Sequence, residues 1–142
     1  MNWMLLPLKR YAKFSGRARP KEFWMFILFL LLCMTGLAIV ETTLGLGHTQ
    51  KWVRHDNWNY AAGAYHEAGL LVKLFLLGII IPKIAVAVRR LHDSDKSGWW
   101  VLLWLIPFIG WIILFIFLVR GGTRGPNRFG DDPVEVGEGM AL

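Results

Sequence analysis

From Trp99 to Val119 the chain runs for 21 residues without one charged side chain. A helix over that stretch would be about 31 Å long, the thickness of a bilayer's hydrocarbon core. Two other stretches share this character. Phe23 to Val40 carries no charge and continues past Glu41 to Leu46, while Leu70 to Val88 is interrupted by Lys73, Pro82 and Lys83. In 142 residues that are 55% apolar and 18% charged, three such segments leave only short loops and tails. No room remains for a soluble catalytic domain. The predicted fold is an all-α integral membrane protein with three transmembrane helices at 23–46, 70–88 and 99–119. These form one membrane domain over residues 1–133, followed by a tail over 134–142 that is acidic, glycine-rich and predicted to be disordered.

Trp3, Met4, Leu5, Leu6 and Leu8, followed by Lys9, Arg10 and Lys13, predict a short amphipathic N-terminal helix lying in the headgroup layer. Pro20 suits the first position of the next helix, and Glu22 in its first turn complements the helix dipole. The apolar run after this basic leader is too long for a cleaved signal peptide. Between the first two crossings, Gly45–Gly69 is polar and reads as a solvated loop anchored by Trp and Tyr, with a short helix near Asn59–Glu67. Its histidines, His48, His55 and His66, fit no metal-ligand spacing, so no metal site is predicted.

The motif Pro107-Phe108-Ile109-Gly110 offers an alternative for the third segment: a re-entrant hairpin returning to its starting side. Six of the sixteen Lys and Arg lie in residues 1–22, two in Gly45–Gly69, three in Arg89–Gly98 and three from Arg120 onward. The positive-inside rule therefore places the N-terminus in the cytoplasm of a multi-pass protein. The same rule favours the hairpin, whereas backbone hydrogen bonding is easier to satisfy in an uninterrupted helix, so three crossings is the first reading.

Arg17 and Arg19 precede the first crossing, and Arg89, Arg90, His92 and Asp93 follow the second. If the second helix runs on, Arg89 and Asp93 form an i, i+4 pair. Such a patch is either a clamp neutralised by Glu22 or Asp93, or a site for a phosphate or phospholipid headgroup. Lys83 shares a helical stripe with Ala87 and Arg90, so two cations would face one cavity unless Lys83 snorkels to the interface. His92 and Asp93 are the best candidates for an acid–base pair, but no nucleophile with its base is evident. Cys33 lies in an apolar helix where a thiol is inert. No catalytic site or cofactor is predicted. A net charge of +6, divided among apolar segments, does not suggest a nucleic-acid binder.

The strings Phe14-Ser15-Gly16-Arg17-Ala18-Arg19, Arg89-Arg90-Leu91-His92-Asp93 with Ser97-Gly98-Trp99-Trp100, and Gly121 to Gly130 resemble the small bacterial inner-membrane proteins called domain of unknown function 805. The resemblance covers most of residues 1–45 and 69–133. It implies a bacterial inner-membrane location and no known activity. If the three motifs form one site, Asn127 and Arg128 join it, which requires the hairpin. The expected role is binding of anionic lipid or a partner protein through a basic cytoplasmic face, as an oligomer or accessory subunit. The alternative is an oligomeric transport component using Lys83 and the Pro107–Gly110 break.

Overall fold

The computed structural model describes residues 3–46, 48–56 and 59–135. In chain order it contains α1 (Leu6–Lys9), α2 (Pro20–Thr43), β1 (His48–Asp56), β2 (Asn59–Glu67), α3 (Leu70–Asp93), a 3-10 segment (Gly98–Leu105) and α4 (Ile109–Val119). The amphipathic N-terminal helix is thus a single turn. Among the described residues two helices, α2 and α3, are long and apolar enough to cross a membrane. Each has 24 residues, about 36 Å of helix. Pro20 begins α2 and Glu22 lies in its first turn, as their helix-start chemistry predicts. Leu31, Leu32, Leu74 and Leu77 are exposed, which suits hydrocarbon and not water.

The chain forms two compact units, one of Met1–Phe29 with Ile80–Leu142 and one of Leu30–Ile79. In the second unit, the loop and short helix expected over Gly45–Gly69 are replaced by an antiparallel β-hairpin. Asn57 and Trp58, the chain between its strands, lie outside the described residues. The register explains the pairing: Trp52 faces Gly63, Val53 faces Ala62 and Arg54 faces Ala61, so large residues on β1 oppose small ones on β2. A methyl group on Gly63 would stand 2.9 Å from the Trp52 ring, so a larger residue there would displace the ring. The Glu41 carboxylate, buried near the end of α2, accepts the N–H groups of Gly69 (2.8 Å) and Val72 (3.1 Å). It thereby caps the start of α3 by accepting two of its otherwise unpaired N–H groups.

In the first unit, residues 99–119 do not form one helix. The 3-10 segment ends at Leu105, and a turn follows in which the Ile109 N–H reaches the Pro107 carbonyl (2.8 Å) across Phe108 at φ +60°. That backbone is a γ-turn with positive φ, a sparsely populated conformation that costs a non-glycine residue on the order of 1–3 kcal/mol. The chain then doubles back. Trp100 meets Phe117 edge to face at 5.5 Å, and the Trp111 indole N–H donates to the Trp104 carbonyl at 2.9 Å. These pairs are centred on the turn, so the 3-10 segment and α4 run antiparallel. Ser97 flanks the 3-10 segment without capping it through its hydroxyl.

Candidate functional site

The last turns of α3 carry the polar centre of the first unit. Adjacent residues on a helix point about 100° apart, so Arg89 and Arg90 face different neighbours. The Arg89 guanidinium donates to Glu22 Oε1 at the start of α2 (2.8 Å), not to Asp93. Asp93 is instead held between two other arginines. Its Oδ1 accepts from Arg17 Nε at 3.0 Å, and its Oδ2 accepts from Arg90 Nη1 at 2.6 Å. The expected i, i+4 pair is thus replaced by an i, i+3 pair and a long-range one, because segment 15–19 and the start of α2 compete for the same helix face. Arg17, Arg89, Arg90, Glu22 and Asp93 are all buried, from 0% to 6% exposed. Buried ions persist only when paired and hydrogen-bonded, and the remaining donors of Arg17 and Arg90 meet that condition with main-chain carbonyls.

Those carbonyls come from the last turn of α4 and the segment after it. Arg17 donates to Thr123 O (2.5 Å) and Gly125 O (2.6 Å). Arg90 donates to Leu118 O (3.1 Å) and to Arg120 O. The Thr123 N–H returns a bond to Asp93 O at 2.8 Å, and the backbone passes so close that a methyl group on Gly122 would collide with the Asp93 carboxylate. All three sequence motifs therefore meet. Ala18 N–H reaches Arg89 O (3.0 Å), tying segment 15–19 to α3 by its main chain.

The other expected site residues occupy the rim or lie apart. His92 contacts Gly16 O through Nδ1 (3.2 Å) and stacks on Phe129 with ring centroids 3.8 Å apart. It is not joined to Asp93, whose carboxylate belongs to the arginines. Asn127 donates to His92 O (2.9 Å) and Thr123 Oγ1 (3.0 Å). Arg128 pairs with Asp95 at 3.1 Å on the exposed surface. Arg19 donates to the carbonyls of Pro133 (2.5 Å) and Val134 (2.6 Å), so the segment expected to be disordered from residue 134 is anchored at its start. Residues 136–142 lie outside the described residues. Lys83 and Ala87 do share a cavity, but Arg90 does not line it. Asp132 is a participant that pattern reading missed: buried, it accepts the N–H groups of Gly125 (3.1 Å) and Val134 (2.8 Å). The Asp-Pro pair at 132–133 is a turn signal that marks it.

Among the described residues no group of three His, Cys, Asp or Glu is placed to hold a metal. The two arginines on Asp93 and the carbonyls around them form a closed clamp. Arg89 keeps two buried donors, Nε and Nη2, without a hydrogen-bond partner, and Lys9, Lys13, Lys21, Lys96, Arg120 and Arg124 are exposed.

The chain is 44% identical over 133 residues to Inner membrane protein YhaH of Escherichia coli K12, covering 94% of this chain and 97% of that one. It is 41% identical over 133 residues to Inner membrane protein YhaI of the same strain, covering 94% and 96%. No solved structure matches it. The profile of the family described as Protein of unknown function (DUF805) matches residues 11–131, a span that takes in α2, α3, α4 and the whole clamp from Arg17 to Thr123. With that match and these full-length relatives, the chain belongs to the DUF805 family of membrane proteins.

Proposed function

We propose that the protein crosses the bacterial inner membrane twice, through α2 and α3, with its N-terminus and its C-terminal segment both cytoplasmic. Gly98–Val119 is then a re-entrant hairpin entering from that side. Two observations support this topology. Arg90, near the end of α3, bonds to the carbonyls of Leu118 in the last turn of α4 and Arg120 just beyond it, and Gly98, at the start of the 3-10 segment, abuts Val88. α4, with 11 residues, is also only about 16 Å long, half of a bilayer core. The arrangement gathers the basic residues of 1–22, 89–98 and 120–128 on one side, in agreement with the positive-inside rule.

The cytoplasmic face then serves as a docking surface for anionic lipid headgroups, and the protein acts as a scaffold or accessory subunit. The observation that carries this reading is the division of labour among the cations. Arg17 and Arg90 are consumed internally, while Lys9, Lys13 and Arg124 are exposed and have no ion-pair partner among the described residues. A cation near an anionic surface contributes about 1 kcal/mol, or about fivefold in affinity. The test is co-flotation of the protein, held in neutral nanodiscs, with separate phosphatidylglycerol vesicles at low salt. Lys9→Gln with Lys13→Gln and Arg124→Gln should weaken capture by about fivefold per charge removed. Equal capture of parent and variant would overturn the headgroup role.

A further inference from the structure

Beside the clamp, α2, α3, the 3-10 segment and α4 line an open-sided cavity of about 520 Å³ walled by Phe23, Ile80, Lys83, Ala87, Trp104 and Trp111, among other apolar side chains. That volume is in the range of small-molecule sites, roughly 300–1,000 Å³, and an apolar lining with few polar groups is their usual chemistry. Lys83 is the single charged residue on its wall. It has no ion-pair or hydrogen-bond partner among the described residues. Both features point to an occupant with a long apolar body and one negative charge. Ile80, Lys83 and Ala87 form one stripe of α3, so the cavity is a slot along the helix axis. Lys83 lies seven residues before Arg90, about 10 Å along the axis from the clamp, and its flexible stem can carry the ammonium back toward that end.

We propose that this slot holds one acyl chain of an anionic phospholipid, with Lys83 paired to the lipid phosphate. The lipid enters from the leaflet next to the arginine clamp, because the shallow end of the slot, at Ala87, faces that way. An uncompensated lysine inside a membrane is unfavourable, and an anionic lipid supplies the missing charge without a second protein. The inference rests on the re-entrant topology and is independent of the exposed cations at the surface.

The test purifies the full chain from nanodiscs of equimolar phosphatidylglycerol and phosphatidylcholine into mild detergent, and measures the lipid retained. Phosphatidylglycerol should be retained in preference to phosphatidylcholine at about one molecule per chain. Lys83→Met should reduce that preference about fivefold, the equivalent of about 1 kcal/mol, and Lys83→Arg should keep it. The Lys9, Lys13 and Arg124 variant should retain the lipid while losing vesicle capture, which separates the slot from the surface site. Retention without headgroup preference, a preference unchanged in Lys83→Met, or retention of a free fatty acid in place of phospholipid would each overturn the proposal. Monodisperse elution and a native far-UV spectrum establish that Lys83→Met is folded.

Discussion

Asp93 neutralises two guanidinium groups that have no water to retreat to. Removing one partner of a buried ion pair leaves the other charge stranded, which typically costs about 3–5 kcal/mol. Asp93→Asn is isosteric and strands two, so we expect it to lower stability by at least that order, read as the midpoint of thermal unfolding in detergent. Arg128→Gln is the control. Its pair with Asp95 is exposed on both sides, at 60% and 48%, and should change stability by no more than about 1 kcal/mol. Equal shifts for the two variants would mean that water reaches Asp93. Residue types alone marked most of this cluster, because arginines and an aspartate flanking apolar segments need partners. They did not mark which pairs form. The i, i+4 rule describes an isolated helix, and here Arg17 and Glu22 arrive from elsewhere in the chain to claim Asp93 and Arg89.

For the secondary-structure elements, the decisive feature is the break between the 3-10 segment and α4. An unbroken helix would hold residues 100 and 117 about 25 Å apart. In the folded chain the rings of Trp100 and Phe117 touch. A protein carrying Trp100→Cys and Phe117→Cys should therefore be bridged within one chain by a short bifunctional maleimide, seen as faster migration on denaturing gels; no bridge would mean a continuous helix. Pro107 and Gly110 announced this break in the sequence, but hydropathy weighs a turn buried in apolar residues the same as a helix. The β-hairpin gave a weaker signal. Its second strand contains Ala61, Ala62, Gly63 and Ala64, all poor strand formers, and Ala62 and Gly63 serve because their partners in register are Val53 and Trp52. Such large-to-small complementarity appears only when two segments are compared in register. The two long helices needed no such comparison, since uninterrupted apolar length is itself the signal.

For the whole molecule, the proposed topology makes an even number of crossings. Paired reporters fused after Leu142 should show a cytoplasmic C-terminus, and a periplasmic one would restore the three-crossing reading and dissolve the membrane placement of both proposed sites. The clamp also ties the beginning of the chain to its end, since Arg17 is satisfied by carbonyls at Thr123 and Gly125 and Arg90 by those at Leu118 and Arg120. Synthesis runs in one direction, and this ordering has a consequence for biogenesis. Arg17 and Arg90 are both made before the carbonyls that satisfy them, so the polar end cannot close until residues 118–125 have been added. A product cut short before Leu118 would lack the main-chain acceptors of Arg17 and Arg90 and could not bury the two guanidinium groups fully hydrogen-bonded. Closure of the clamp over its buried arginines therefore requires that synthesis has already passed Gly125.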